Sequence, residues 1–267
     1  MNNNIVRETV PEIKILARTA LKDCWLKVTV GFTLYYLLMT LVPGILSSIF
    51  PGINYPMEID GSTLNYEFSY VNILYGALIS GALVLGLAVF FLSFLRKRDI
   101  NFSYVLSGFE YYFKAIGLFI VVSIFTALWS MLFLIPGIIA MYKYSMAFYI
   151  LADNPEKGIM QCINESKEMM MGNKGKLFSL EISFIGWAIL ATIPAALYSS
   201  AFAQSPALGL GSANMGMTNP VLTMVIMFLL LIPMYFVISY AYTARTLFYE
   251  IASGHLVARR REEPPIM

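Results

Sequence analysis

Long apolar stretches alternate with short basic segments along this chain. Residues 28–95 and 177–244 contain no lysine or arginine, and the basic residues cluster in the segments that flank these two stretches. A helix that crosses the hydrocarbon core of a bilayer, which is ~30 Å thick, needs about 20 consecutive apolar residues. The pattern therefore predicts six transmembrane helices, which cover residues 26–49, 71–95, 115–135, 138–151, 177–201 and 221–242.

The composition agrees with a membrane location. Of the 267 residues, 58% are hydrophobic and only 13% are charged, and the mean hydropathy is +0.70. So little polar surface cannot cover a globule that faces water. We therefore expect an all-α polytopic membrane protein, in which residues 1–267 form a single membrane domain that ends in a cytoplasmic tail at residues 256–267.

The positions of the basic residues also predict an orientation. Loops rich in lysine and arginine stay on the cytoplasmic side, because their transfer across the bilayer is unfavourable. The loops at residues 50–70 and 202–219 carry no basic residue. Residues 115–142 carry none either, and within them we expect a tight hairpin turn at Pro136-Gly137. We therefore predict that these segments face outward, in a multi-pass protein of the cytoplasmic (plasma) membrane with both termini in the cytoplasm.

The sequence also predicts an internal repeat. The run LVPGI at residues 41–45 is close to the run LIPGI at residues 134–138, and each odd-numbered span is entered through a lysine, namely Lys27, Lys114 or Lys176. These features predict three units, each a surface helix followed by a helical hairpin, at about residues 9–98, 99–153 and 154–255. A repeat of this kind either encloses a pathway or lipid pocket between its units or only builds a stable bundle.

Two of the surface helices have an amphipathic pattern. Apolar residues recur at helical spacing, and in the first helix basic residues occupy the opposite face. We expect both helices to lie in the inner membrane interface and to bind membrane lipids. The apolar stripes are Ile13, Leu16, Ala17, Ala20, Leu21 and Cys24 in the first unit and Ile159, Cys162, Ile163, Ser166 and Met170 in the third.

Other polar residues near the basic segments are expected to be structural. Asp153 and the carboxylates that follow it up to Glu168 are placed on the polar, solvated side of an amphipathic helix. Cys24 and Cys162 lie in predicted cytoplasmic segments, where we expect reduced thiols that fill apolar space.

Ionisable side chains near the apolar spans are the best candidates for a functional site, because each is costly there unless it is paired or hydrated. Lys143 precedes the end of the fourth span and Glu181 follows the start of the fifth, so an ion pair between them is feasible. This pair is either a structural contact or a polar functional site. Arg245 follows the sixth span, where we expect an anchor that reaches the interface. Lys143, Glu181 and Arg245 form the candidate intramembrane polar site.

The sequence lacks the motifs of common enzyme active sites. It has a single histidine, His255, and no His-x-x-x-His pair, no Gly-x-Ser-x-Gly turn and no phosphate-binding loop that ends in Gly-Lys-Ser/Thr. One histidine and two separate cysteines do not suffice for a metal site. We therefore predict a protein that is not an enzyme, uses no metal or other cofactor and does not bind nucleic acid.

Several short runs of sequence resemble one family of membrane proteins. They are IPGII at residues 135–139, YILADNP at 149–155, SKEMMMGNK at 166–174 and SFIGW at 183–187. These runs are similar to the bacterial integral membrane family that carries the domain of unknown function 975 (DUF975), which implies a membrane protein without an assigned activity. A more distant resemblance, to the membrane domains attached to some glycerophosphodiester phosphodiesterases, implies an association with lipids and supplies no catalytic residues.

These observations favour a non-enzymatic integral membrane protein. We expect a membrane-embedded binding, accessory or immunity-like protein that acts on lipids or membrane-active molecules. The alternative is a small transporter or a permease subunit. A transport path requires Lys143 and Glu181 to line a hydrated cavity, whereas a scaffold keeps them dry and paired. The expected partners are membrane lipids, and a second membrane protein or another copy of this chain is a further candidate.

Overall fold

The structure is a computed structural model that describes residues 5–59, 62–203 and 220–256. Helices form most of this part of the chain, and a β-hairpin separates the second helix from the third. The elements in chain order are α1 (Val10–Leu21), α2 (Trp25–Ile49), β1 (Ile53–Ile59), β2 (Ser62–Phe68), α3 (Tyr70–Lys97), a 3-10 helix (Phe102–Tyr111), α4 (Tyr112–Leu132), α5 (Leu134–Tyr144), α6 (Ala147–Asp153), α7 (Ile159–Met169), α8 (Lys174–Ala203), α9 (Pro220–Leu230) and α10 (Ile232–Ala252).

Five helical segments of the described chain are long and apolar enough to cross a membrane. They coincide with the first five predicted spans, which confirms the all-α polytopic class. The 3-10 helix and α4 form the third segment, and α5 and α6 form the fourth. The predicted sixth span, 221–242, lies on α9 and the first half of α10, which meet at Leu231, and its crossing of the membrane stays a prediction. The five segments are Trp25–Ile49, Tyr70–Lys97, Phe102–Leu132, Leu134–Asp153 and Lys174–Ser199.

A β-hairpin occupies most of the predicted loop at residues 50–70. Its two strands pair in an antiparallel register, with Ile53 opposite Phe68 and Ile59 opposite Ser62. The hairpin lies between α2 and α3, outside the predicted spans, so the helical class of the spanning part is unchanged. Residues 204–219 of the second predicted loop and most of the predicted cytoplasmic tail lie outside the described residues.

The chain turns between α4 and α5 at Phe133, so the expectation of a turn at Pro136-Gly137 was wrong. Phe133 has an extended backbone, with φ −160° and ψ 155°, and flanks both helices. Pro136 falls in the first turn of α5, where a missing N–H group costs no intrahelical hydrogen bond. Gly137 lets α5 approach α4, because a Cβ there would lie 2.8 Å from the Cα atom of Ser130. The Pro-Gly pair therefore begins a helix instead of ending one.

The predicted repeat units share one order of elements. A short helix precedes two longer helical segments in each unit. In the first unit α1 precedes α2 and α3, in the second the 3-10 helix precedes α4 and the α5–α6 segment, and in the third α7 precedes α8 and the α9–α10 segment. This order agrees with a repeat, but the repeat itself and its boundaries stay a prediction.

The apolar stripes of α1 and α7 face the helical bundle. Ile13, Ala17 and Leu21 of α1 are fully buried, and α1 contacts α8 and α10. Cys162 and Ile163 of α7 are buried in the same way. The stripes are therefore covered by helices of the same chain, and the placement of α1 and α7 in the membrane interface stays a prediction. Burial raises the pKa of the Cys162 thiol, which agrees with a reduced thiol that fills apolar space.

Helix α3 lies at the centre of the bundle. It contacts α2, the 3-10 helix, α4, α6 and α10. Phe90, Phe91 and Phe94 are fully buried along it, and the ring of Phe91 stacks on that of Tyr242 in α10 with 5.6 Å between the centroids. Within a bilayer, close van der Waals packing of such side chains drives the association of helices. This aromatic stripe is therefore a main source of the packing that holds α10 against α3.

Glycines allow the 3-10 helix and α4 to approach α3 closely. A Cβ on Gly86 would lie 2.0 Å from the carbonyl oxygen of Val105, and a Cβ on Gly81 would lie 2.6 Å from the carbonyl oxygen of Ala115. Each of these glycines has an alanine four residues before it, a spacing that favours close helix packing in membranes. The two contacts fix the position of α4 beside α3.

We expect Gly86→Ala to destabilise the bundle, because its methyl group would overlap the backbone of the 3-10 helix. Overpacking of this kind costs about 1–3 kcal/mol. Gly76→Ala is the matched control on the same helix, since its Cβ would meet nothing nearer than the Ser80 Oγ atom at 4.0 Å. Thermal unfolding of both variants in detergent measures the difference. Equal melting temperatures would contradict the close contact between α3 and the 3-10 helix.

Candidate functional site

The ends of α3, α6 and α10 meet at a buried ion cluster, which we call the Arg96 cluster (Arg96, Asp153, Tyr249, Glu250 and His255). The Arg96 guanidinium donates to the two carboxylate oxygens of Asp153 over 2.6 and 3.0 Å, and its Nε donates to Glu250 Oε1 over 2.8 Å. The two acidic side chains keep only 7% and 4% of their surface exposed. Bidentate arginine–carboxylate pairs are strong and directional. The cluster therefore ties the ends of three helices together.

Two further side chains complete the Arg96 cluster. Tyr249 OH donates to Asp153 Oδ2 over 2.5 Å, and His255 Nδ1 lies 3.0 Å from Arg96 Nη2. The expectation that Asp153 lies on a solvated helix face was wrong. Asp153 is the last residue of α6, and its carboxylate turns inward because Arg96 and Tyr249 supply donors there. With these partners in place, the Arg96 cluster has the geometry of a structural contact that holds three helix ends together.

A second polar group joins α5, α8 and α10. Arg245 Nη1 lies 3.5 Å from Glu181 Oε1, and Tyr142 OH donates to Glu181 Oε2 over 2.8 Å. Arg245 Nη2 donates to the carbonyl oxygen of Ser145 over 3.4 Å. The structure thus brings together two of the three predicted site residues, Glu181 and Arg245.

Lys143, the third predicted site residue, lies outside this group. Tyr142 directs its side chain at Glu181, and the next residue along a helix points about 100° away. The Nζ atom of Lys143 lies 5.9 Å from the centre of the Tyr144 ring. In the described chain, Glu181 is therefore paired with Arg245, and the feasible ion pair between Lys143 and Glu181 is not formed.

A cavity of about 190 Å³ adjoins Arg245. Its walls come from α3, α4, α5, α6 and α10, so it lies between the centre of the bundle and the α4–α5 hairpin. Half of the lining residues are aliphatic or aromatic residues without a polar atom, and the others provide hydroxyl groups and one guanidinium. The lining residues are Val84, Leu87, Ala88, Val122, Thr126, Met141, Tyr144, Ser145, Phe148, Tyr149, Tyr242 and Arg245.

The cavity lies near the outer surface of the bundle. The membrane-spanning segment that contains α4, Phe102–Leu132, is mostly exposed, since only 11% of its most apolar 18-residue stretch is buried. Among the lining residues, Met141 is 49% exposed and Thr126 is half-buried. In a membrane, this side of the bundle faces lipid. The cavity therefore lies close to the exposed, apolar side of α4 and α5.

Arg245 is less well paired than Arg96. Its contacts through Nη2 and Nη1 are 3.4 and 3.5 Å long, whereas charge-assisted hydrogen bonds are typically about 2.7–2.9 Å. The Nε atom of Arg245 is buried and has no hydrogen-bond partner among the described residues. A buried donor without an acceptor is costly. The Arg245 guanidinium therefore has unused capacity to bind an anion.

The tyrosines that surround Arg245 were not among the site residues predicted from the sequence. Tyr242 precedes Arg245 by one turn of α10, and a spacing of three residues places both on one helix face. That local signal was present in the sequence. Tyr142 and Tyr149 come from α5 and α6, and no local pattern connects them to Arg245.

We expect Arg96→Met to destabilise the protein strongly, because Asp153 and Glu250 would stay buried without their cation. Removal of one partner from a buried ion pair costs about 3–5 kcal/mol. Lys97→Met is the matched control, since Lys97 is the next residue and is exposed. Chemical unfolding in detergent compares the two variants. If Arg96→Met is as stable as Lys97→Met, the cluster does not hold the three helix ends together.

Comparison with known proteins finds one similarity, in the second half of the chain. Residues 131–254 match the family described as Protein of unknown function (DUF975), and this segment contains α5 to α10 and therefore Glu181 and Arg245. No curated protein and no solved structure matches the chain. The distant resemblance to glycerophosphodiester phosphodiesterase membrane domains is therefore not supported. Residues 131–254 are thus similar to the DUF975 family, in agreement with the resemblance of the sequence motifs.

Proposed function

We propose that this protein is a non-enzymatic, membrane-embedded binding protein that holds part of a lipid or lipid-like molecule in the cavity beside Arg245. The observation that carries the proposal is a largely apolar cavity, close to the lipid-facing side of the bundle, with a guanidinium in its wall. The cavity is a partly open cleft in the wall of the bundle. The cavity is also smaller than pockets for drug-sized molecules, which are typically about 300–1,000 Å³. It therefore fits one end of a lipid, while the rest of the molecule lies along α4.

The chemistry of the lining favours binding over catalysis. The lining consists of apolar side chains, hydroxyl groups and the Arg245 guanidinium, and it contains no carboxylate, histidine or cysteine. A general base or an activated nucleophile is normally built from such groups. An accessory or immunity-like role follows if the bound molecule is a membrane-active compound rather than a membrane lipid.

A small transporter or permease subunit is the alternative function. A transport path through the predicted polar site requires Lys143 and Glu181 to line a shared cavity. Neither residue lines the cavity beside Arg245. Movement of a bound lipid between the two leaflets of a proteoliposome, measured with a fluorescent lipid analogue, would support the transporter instead.

We expect Thr126→Trp to expel the bound molecule, because the indole would fill the cavity from its half-buried α4 wall. Ala127→Trp is the matched control, since Ala127 is the next residue on α4 and is exposed. The probe is palmitic acid with a photoactivatable group in its chain, and mass spectrometry locates the cross-links. We expect cross-links at the α4 and α5 walls in the wild type and in Ala127→Trp, and a decrease of about tenfold in Thr126→Trp, which corresponds to about 1.4 kcal/mol of binding free energy. Equal labelling of both variants would contradict a binding cavity.

The proposed location is the cytoplasmic membrane, with both termini in the cytoplasm. Contacts at one end of the bundle support this orientation, because basic residues from several segments gather there. Lys176 Nζ donates to the carbonyl oxygen of Val6 over 2.6 Å, and Arg98 donates to the carbonyl oxygen of Ala20. Basic residues that gather at one end are typical of the cytoplasmic side.

Labelling of introduced cysteines tests this orientation. In a background without Cys24 and Cys162, we expect an impermeant maleimide to label Thr63→Cys on intact cells, because the β-hairpin would face outward. The matched variant Lys97→Cys should react only after the cells are opened. Labelling of Lys97→Cys on intact cells would reverse the proposed threading.

A further inference from the structure

We propose that Arg245 recognises the anionic head group of the bound molecule, a carboxylate or a phosphate, and that Glu181 is an internal counter-ion which this head group displaces. The inference rests on the proposed function, because it assigns a ligand chemistry to the same cavity. It also explains why an arginine in an apolar cavity is only loosely paired.

The hydrogen-bond partners of Arg245 leave room for an anion. Its Nη atoms make contacts of 3.4 and 3.5 Å to Ser145 and Glu181, and its buried Nε has no partner among the residues that the structure describes. The Nε atom is buried in the present conformation, so an anion reaches it when the guanidinium turns toward the cavity. A carboxylate or phosphate would then bridge Nε and one Nη atom in the bidentate geometry for which the guanidinium is suited. The Arg96 cluster shows what a satisfied arginine looks like in this bundle, with contacts of 2.6 and 2.8 Å to two carboxylates.

Glu181 keeps a partner when Arg245 is taken by a ligand. Tyr142 OH donates to Glu181 Oε2 over 2.8 Å, and this hydrogen bond does not depend on Arg245. The distance of 3.5 Å between Glu181 Oε1 and Arg245 Nη1 is also longer than that of a strong charge-assisted hydrogen bond. The present pair is therefore easy to open, and Glu181 and an incoming anion compete for one cation.

The cavity also suits the remainder of an anionic lipid. Tyr149 and Tyr242 line the cavity together with Arg245, while Val84, Val122 and Phe148 provide apolar walls. An aliphatic chain next to the head group would contact these walls and exclude water from the ion pair. Electrostatic attraction is stronger in such a low-dielectric site than in water.

Binding to three probes that share one chain tests the inference. They are palmitate, with a carboxylate, 1-palmitoyl lysophosphatidic acid, with a phosphate, and methyl palmitate, which is neutral. Equilibrium binding is measured on the full-length protein in phosphatidylcholine nanodiscs. For at least one anionic probe, we expect Arg245→Gln to weaken binding about tenfold or more. We expect Glu181→Gln to tighten binding about tenfold, because the glutamine keeps an acceptor for Tyr142 but carries no charge that competes for Arg245. The anion with the larger response identifies the head-group source.

A charge-matched control and the neutral probe separate the outcomes. Lys143→Gln removes a cation from the same region outside the cavity and should leave all three affinities unchanged. Methyl palmitate should be insensitive to the Arg245 and Glu181 variants. If Thr126→Trp weakens all probes while Glu181→Gln changes no anion affinity, the cavity stands and the head-group inference is overturned. If the wild type binds none of the three probes, both the head-group inference and the proposed function are contradicted. Arg245→Gln is open to misfolding, so the melting temperature of each variant is measured. Glu181→Gln and Arg245→Lys keep the test decisive if Arg245→Gln does not fold.

Discussion

The constraint on which this structure depends is the cost of placing a guanidinium inside an apolar bundle. A largely buried cation must find acceptors within the protein, because burial removes most of the water that would solvate it. Arg96 meets this requirement with short contacts to Asp153 and Glu250, and so joins the ends of α3, α6 and α10. Arg245 meets it only in part, with long contacts and an unpartnered Nε. Arg96 thus holds helix ends together, whereas Arg245 is a candidate binding group for an anion.

The packing of the bundle positions the second arginine at a cavity. Aromatic side chains of α3 hold α10 in place, and small residues of α3 bring the 3-10 helix and the start of α4 close to it. The α4–α5 hairpin closes the outer side, and the cavity remains between it and α3. The hairpin is the more exposed of these elements, so it forms the outer wall of the cavity. Entry of the proposed lipid from the bilayer would therefore not require the core of the bundle to open.

The sequence predicted the spans well because length and hydropathy alone decide which segments can cross a bilayer. It did not predict the pairing of Glu181 with Arg245, because this depends on the rotation of α5 and on the packing of α8 against α10, and neither leaves a local pattern. Asp153 was misplaced for the same reason, since its partner Arg96 lies 57 residues away in the chain. The turn at Phe133 was missed because a Pro-Gly pair serves equally well in the first turn of a helix.

The most direct test of the account is the Nε–H resonance of Arg245 in a ¹⁵N-labelled protein in nanodiscs, assigned with the Arg245→Lys variant. We expect a saturable shift of this resonance when an anionic amphiphile is added, because the unpartnered donor acquires an acceptor. The methyl ester of the same amphiphile should leave it in place. An Arg245 resonance that ignores every anionic amphiphile at saturating concentration, or that shifts equally with the ester, would contradict a head-group site at Arg245.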